Sequence, residues 1–145
     1  MKKSETLTSV LAVDPGGAHV GVATWHLGED LKATEIDAMK WLRMFARIVR
    51  EYDVVVIEKF VLYPGKAGPQ AWSPMVTSEM IGAMKWIAQE AGVKVVEQGA
   101  DIKIPTRRQC RVRHLQWKDN KGGHASDALL HLQHYLIRNN LQEAE

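Results

Sequence analysis

Residues 53–58 read DVVVIE, a β-branched aliphatic run too short for a buried helix and lacking the alternation of a half-exposed strand. Such a run suits a central strand covered on both faces, and that cover is supplied by helices packed above and below a sheet. The requirement points to an α/β fold. The run also ends in an acid, Glu58. So does an earlier aliphatic run, SVLAVD, which closes on Asp14 just ahead of Pro15, Gly16 and Gly17.

The remaining elements follow from periodicity and turn chemistry. Residues 19–25 return from the Gly16-Gly17 turn as a second strand, and residues 31–36 form a weaker third after the GED turn. Asp37 is the N-cap of a helix reaching about Tyr52, with Ala38, Trp41, Phe45, Ile48 and Val49 at helical spacing. Beyond DVVVIE, a loop containing Pro64, Gly65, Gly68 and Pro69 leads to a helix over residues 73–91. Ser73 is its N-cap, Pro74 its first helical residue, and Gly92 its end. VKVVEQ is the fifth strand. A basic segment and Gly122-Gly123 then precede a last helix to about Asn139, with Ala125, Ala128, Leu129, Leu132 and Leu136 as its core stripe. The predicted order is βββαβαβα, a mixed five-stranded sheet with helices on both faces.

With 145 residues and 46% hydrophobic content, residues 1–145 are expected to form one domain. A charged fraction of 25% is ordinary for a globular chain and argues against disorder. No apolar run approaches the roughly 20 residues of a spanning helix, and MKKSET leads into a strand, not a signal-peptide core. The expectation is a cytoplasmic protein with no membrane partner. Cys110 is the only cysteine, which excludes an internal disulfide and a cysteine-based zinc site. Net charge is only +2, but it is unevenly spread. Residues 103–121 hold Lys103, Arg107, Arg108, Arg111, Arg113, Lys118 and Lys121, against Asp119 as the sole acid.

If the two acid-ended strands are parallel neighbours, Asp14 and Glu58 converge at the sheet edge where open α/β folds bind ligands. The last helix opens GGHASDALL, placing His124 and Asp127 three apart on one face, where the helix dipole favours an ionised Asp. Each of these residues alone has an ordinary reading as a turn, cap or strand-end charge. Together they form a crowded anionic cluster, for which a divalent cation is the usual remedy. His131 and His134, farther along the same helix, read as flanking residues.

These residues carry a resemblance. DPGGAHVG, VVVIEKF and HASDAL, in that order and on those elements, resemble the three motifs of the RuvC-type Holliday junction resolvases of the RNase H-like superfamily. The chain is short for that family and suits a short, phage-type member. Val61 stands where the family usually has an aromatic, with Phe60 and Tyr63 beside it, and an arginine-rich stretch stands where the family has lysines near the scissile phosphate. The resemblance implies that Asp14, Glu58, His124 and Asp127 are catalytic metal ligands for two Mg²⁺ or Mn²⁺ ions per site. Asp14 would be the bridging ligand, and His124 would either ligate metal or orient water. It implies hydrolysis of a four-way DNA junction by a homodimer.

For DNA contact the candidates are Arg107, Arg108, Arg111, Arg113, Lys118 and Lys121, together with Lys59 and Lys66 in the loop 59–72. Phe60, Tyr63 and Trp72 could stack on unpaired bases there. On the helix 73–91, Thr77, Met80, Ile81, Met84, Ile87 and Ala88 form one apolar stripe. Met75, Gly82 and Trp86 fall on the opposite side, as a dimer interface would. The open alternatives are a nuclease for flaps, other branches or RNA, and a non-catalytic DNA-binding module that keeps the fold. A sugar-kinase-like phosphotransferase also uses an Asp-Gly turn, but its two-domain cleft is too large for this chain.

Overall fold

The two acid-ended runs lie side by side. β1 (Ser9–Asp14) and β4 (Val54–Glu58) are parallel, in register from Val10 opposite Val54 to Val13 opposite Ile57. β2 (His19–His26) returns antiparallel to β1, β3 (Lys32–Asp37) pairs antiparallel with β2, and β5 (Lys94–Gln98) adds parallel to β4. The computed structural model describes residues 6–60, 72–118 and 123–141, with a mixed five-stranded sheet in the order β3-β2-β1-β4-β5. Tyr63, Lys66, Lys121 and the loop prolines and glycines lie outside the described residues. So do the side chains of Trp72, Ser73, Pro74 and Met75.

Strand alternation sorts the core into two layers. Leu11, Val13, Val55 and Ile57 pack with Trp41 and Phe45 of α1 (Ala38–Ile48) and with Met80, Ile81, Met84 and Ala88 of α2 (Trp72–Glu90). Val10, Ala12, Val54 and Val56 face the other way. They pack on Ala128, Leu129, Leu132 and Leu136 of α4 (Gly123–Arg138). Asp14 and Glu58 continue this second series by parity, so both acids emerge on the α4 face.

Asp37 caps α1 as expected, its carboxylate accepting from the Met39 backbone N–H at 2.9 Å. The helix then tightens into a 3₁₀ turn at Val49–Glu51, before the predicted end. A larger difference follows β5. The basic segment contains α3 (Lys103–Arg113), absent from the predicted order, so the elements run βββαβαβαα. Only Thr106 and Cys110 of α3 are buried, a two-residue stripe too slight to register as amphipathic. Pro105 lies in its first turn, where a missing N–H does no harm. α3 rests on α4, with Thr106 Oγ1 3.3 Å from His134 Nδ1. No helix among the described residues is long and apolar enough to cross a membrane.

The start of α4 is fixed by close approach. Gly21 lies opposite Asp14 on β2, and a Cβ there would stand 1.9 Å from the His124 carbonyl oxygen, so only glycine lets the helix reach the sheet. Gly123 adopts φ +63°, a left-handed conformation natural to glycine. From β3, the Glu35 carboxylate then accepts from the His124 backbone N–H at 2.9 Å, capping α4 and countering its positive N-terminal dipole.

Gly21→Ala should therefore lower the unfolding free energy by about 1–3 kcal/mol, as overpacking does in a filled interior. Gly82→Ala, whose Cβ would enter open space on α2, should raise it by up to about 1 kcal/mol. Urea denaturation reads both, and equal effects would contradict the tight seat of α4 on β2.

Candidate active site

Asp14, Glu58 and Asp127 meet. One carboxylate oxygen from each lies within 4.8 Å of the others, two arriving from the C-terminal ends of parallel strands and one from the first turns of α4. His124 joins them indirectly, its Nδ1 hydrogen-bonded to Asp14 Oδ2 at 2.8 Å, with the imidazole half-exposed. The sequence places four ligands together. The structure brings three carboxylates into one cluster and attaches the imidazole to the most buried of them.

Burial above all raises Asp14 from its ordinary 3.8 to about 9, helped by its hydrogen bond to Glu58 and by the charges of Glu58 and Asp127. Burial also pushes Glu58 upward. There the hydrogen-bonding influence of His131 and Asp14, with the charges of His131 and Lys103, outweighs burial and holds the carboxyl down at about 2. Burial thus favours the neutral form of Asp14, while the groups around Glu58 favour its ionised form. Lys103 Nζ stands 3.3 Å from Glu58 Oε1 and 3.3 Å from Asp127 Oδ2, bridging the two acids. Burial works against the lysine's charge, but the two carboxylates prevail and raise its pKa.

Lys103 and His131 are the residues that sequence reasoning misplaces. The sequence puts Lys103 at the head of the basic stretch 103–121 and His131 on a helix flank. The structure turns Lys103 inward at the start of α3 and buries His131 completely, with Nε2 3.1 Å from Glu58 Oε2. The available signals were slight. Lys103 follows the end of β5 closely, and His131 lies one helical turn beyond Asp127.

The other expected site residues are more scattered. Lys59 and Phe60 border a shallow hollow beside Asp14 and Glu58, lined also by Pro15, Thr77 and Ile81. Arg108, Arg111, Arg113 and Lys118 are exposed and Arg107 is half-buried. The Arg107 and Arg111 guanidinium groups lie 5.3 and 5.2 Å from the Trp117 ring centroid, in cation–π contact. Gly82 and Trp86 are exposed on α2, Trp86 at 63%, while Thr77, Met80, Ile81, Met84 and Ala88 are buried. Cys110 is buried and its thiol raised to about 11 by that burial, so it is inert.

The sheet order, the helices on both faces and the acids at adjacent strand ends define an RNase H-like fold. Within that class the architecture is RuvC-like over nearly the whole chain. It is similar to Thermus thermophilus RuvC in complex with a Holliday junction substrate, with a TM-score of 0.62 and 20% identity, covering 94% of this chain and 98% of that one. A second Thermus thermophilus RuvC structure matches with a TM-score of 0.56 and 20% identity, covering 91% and 96%. No protein-family model and no curated protein sequence matches the chain.

The two carboxyl shifts make opposite contributions to stability. Asp14, raised in the fold, contributes stability that is full below 3.8 and is lost as pH rises through about 9. Glu58, lowered in the fold, contributes stability present above 4.5 and lost as pH falls through about 2. Only the Asp14 contribution therefore changes between about pH 5 and about pH 9. Over that range the melting temperature of the metal-free protein should fall relative to Asp14→Asn. Added Mg²⁺ should close the gap. A gap that does not vary with pH would contradict the upward shift of Asp14.

Proposed function

We propose that the protein is a divalent-metal-dependent endonuclease that resolves four-way DNA junctions by paired, symmetric nicks. The observation that carries this reading is the meeting of Asp14, Glu58 and Asp127 within 4.8 Å at the edge of a RuvC-like sheet. The donor set is carboxylate oxygen, which fits Mg²⁺ or Mn²⁺. Two bound ions would supply an activated water and stabilise the departing 3′ oxygen. Asp14, Glu58 and Asp127 would hold the ions between them. His124 offers Nε2 to a metal or a water, while Lys103 holds Glu58 and Asp127 together.

For the DNA, α3 presents Arg108, Arg111 and Arg113 to solvent, and Arg107 and Arg111 are ordered over Trp117. These groups, with Lys118, suit backbone phosphates. Phe60, beside the acids, suits stacking on an unpaired base, with Lys59 next to it. Paired cuts on related strands call for two sites related by a two-fold axis, and one site per chain then means a homodimer. Exposed Gly82 and Trp86 give α2 an outward face for it.

Cleavage of symmetric four-way junctions in Mg²⁺ or Mn²⁺ tests the reading. Asp14→Asn should lose at least about 10²-fold in cleavage, the scale of one electrostatic stabiliser, while junction binding is kept or strengthened. In the same binding assay, neutralising Arg107, Arg108, Arg111 and Arg113 should flatten the salt dependence. Preference for flaps or RNA would reassign the substrate. Absence of metal-dependent cleavage by the wild type would leave a DNA-binding module.

Trp86→Glu should give a folded monomer, seen by light scattering at micromolar concentration, that has lost coordinated cutting. A dimer that persists would move the interface off α2.

A further inference from the structure

His131 is fully buried, yet both of its ring nitrogens face polar atoms. Nδ1 lies 2.9 Å from Gln98 Oε1, and Nε2 lies 3.1 Å from Glu58 Oε2. Glu58 and Gln98 are register partners on β4 and β5, so alternation sends both side chains to the α4 face, and one imidazole spans them. Among the described residues, neither Glu58 Oε2 nor His131 Nε2 has a well-aligned hydrogen bond. The 3.1 Å contact is what the structure offers both atoms. Buried polar atoms left unmatched are penalised, so a small rotation that aligns the pair is favoured.

The direction of that bond follows from the donors. If the Gln98 amide oxygen faces Nδ1, then Nδ1 donates to it, and an ionised Glu58 still requires a proton on Nε2. If the amide is turned, its NH₂ donates to Nδ1, and the neutral ring carries its proton on Nε2. Both arrangements aim an N–H at Glu58. A lone pair on Nε2 would be repulsive toward Glu58, which Lys103, 3.3 Å from its other oxygen, favours as a carboxylate and not as an acid that donates to the ring.

We propose that His131, held by Gln98, is a positioning residue that donates from Nε2 to Glu58 Oε2 and thereby presents Oε1 to the site shared with Asp14 and Asp127. This rests on the reading of Glu58 as a metal ligand. It assigns to a buried histidine the task of fixing which carboxylate oxygen faces the cation, and to Gln98 the task of fixing the ring.

The test is Mn²⁺ binding to the DNA-free protein, followed by loss of the free-ion electron paramagnetic resonance signal. His131→Leu fills the space without a donor and should weaken Mn²⁺ binding about 10–100-fold, whereas His131→Gln retains a donor and should recover most of the loss. In cleavage, the Mn²⁺ concentration for half-maximal rate should rise more than the saturated rate falls. Wild-type affinity in His131→Leu would overturn the proposal. Equal losses in the Leu and Gln variants would do the same, by reducing His131 to packing. If His131→Leu does not fold, Gln98→Met carries the test, since it frees the ring while leaving His131 and Glu58 in place. Weakened Mn²⁺ binding is expected there, and unchanged binding overturns the proposal. The expected order of Mn²⁺ affinities in a protein that cuts no junction would refute the nuclease reading and leave this one standing. A wild type that binds no Mn²⁺ would refute both.

Discussion

Three carboxylates held within 4.8 Å repel one another, and the fold is arranged around that repulsion. Water would disperse such charges. The sheet instead fixes two of them at the ends of adjacent parallel strands, and α4 brings the third against them. The protein tempers the repulsion through burial, which favours the neutral form of Asp14, and through a lysine bridging the other two acids. A site that must neutralise itself in this way is one that a divalent ion can enter with little rearrangement of the backbone.

The precision of the cluster comes from two periods acting together. Strand alternation selects the face on which Asp14, Glu58 and Gln98 emerge, and the helical repeat carries His124, Asp127 and His131 along the opposing side of α4. Their meeting depends on the height of α4 over the sheet. Gly21 sets that height by having no side chain, and Glu35 sets the position of the helix start by capping it. Neither residue is one of the clustered acids, yet the placement of Asp127 follows from both.

The sheet and its acids are legible in the sequence because the signals are local. An aliphatic run ended by an acid names both a buried strand and the residue at its rim, and Gly122-Gly123 ahead of HASDAL marks a helix start. Asp14, Glu58, Asp127 and His124 are all found this way. Lys103 is not, because its inward turn depends on α3, whose hydrophobic period amounts to Thr106 and Cys110. His131 is not, because a histidine next to a leucine stripe gains a partner only once β4 and β5 are in register and Gln98 stands opposite Glu58. Such partners are non-local, and no window along the chain contains them.

Asp14 and His124 are 110 residues apart in the chain, and the helix that carries His124 is the last described element. The first hairpin can form from neighbouring residues, but the site closes through some of the longest-range contacts in the molecule, which are made late. A nascent chain that has emerged only through α3 carries Asp14, Glu58 and Lys103 but lacks the third carboxylate and the helix that covers Val10, Ala12, Val54 and Val56. A chain interrupted ahead of Gly123 therefore has neither a complete acid cluster nor a covered second face of the sheet, so one helix finishes both the site and the core.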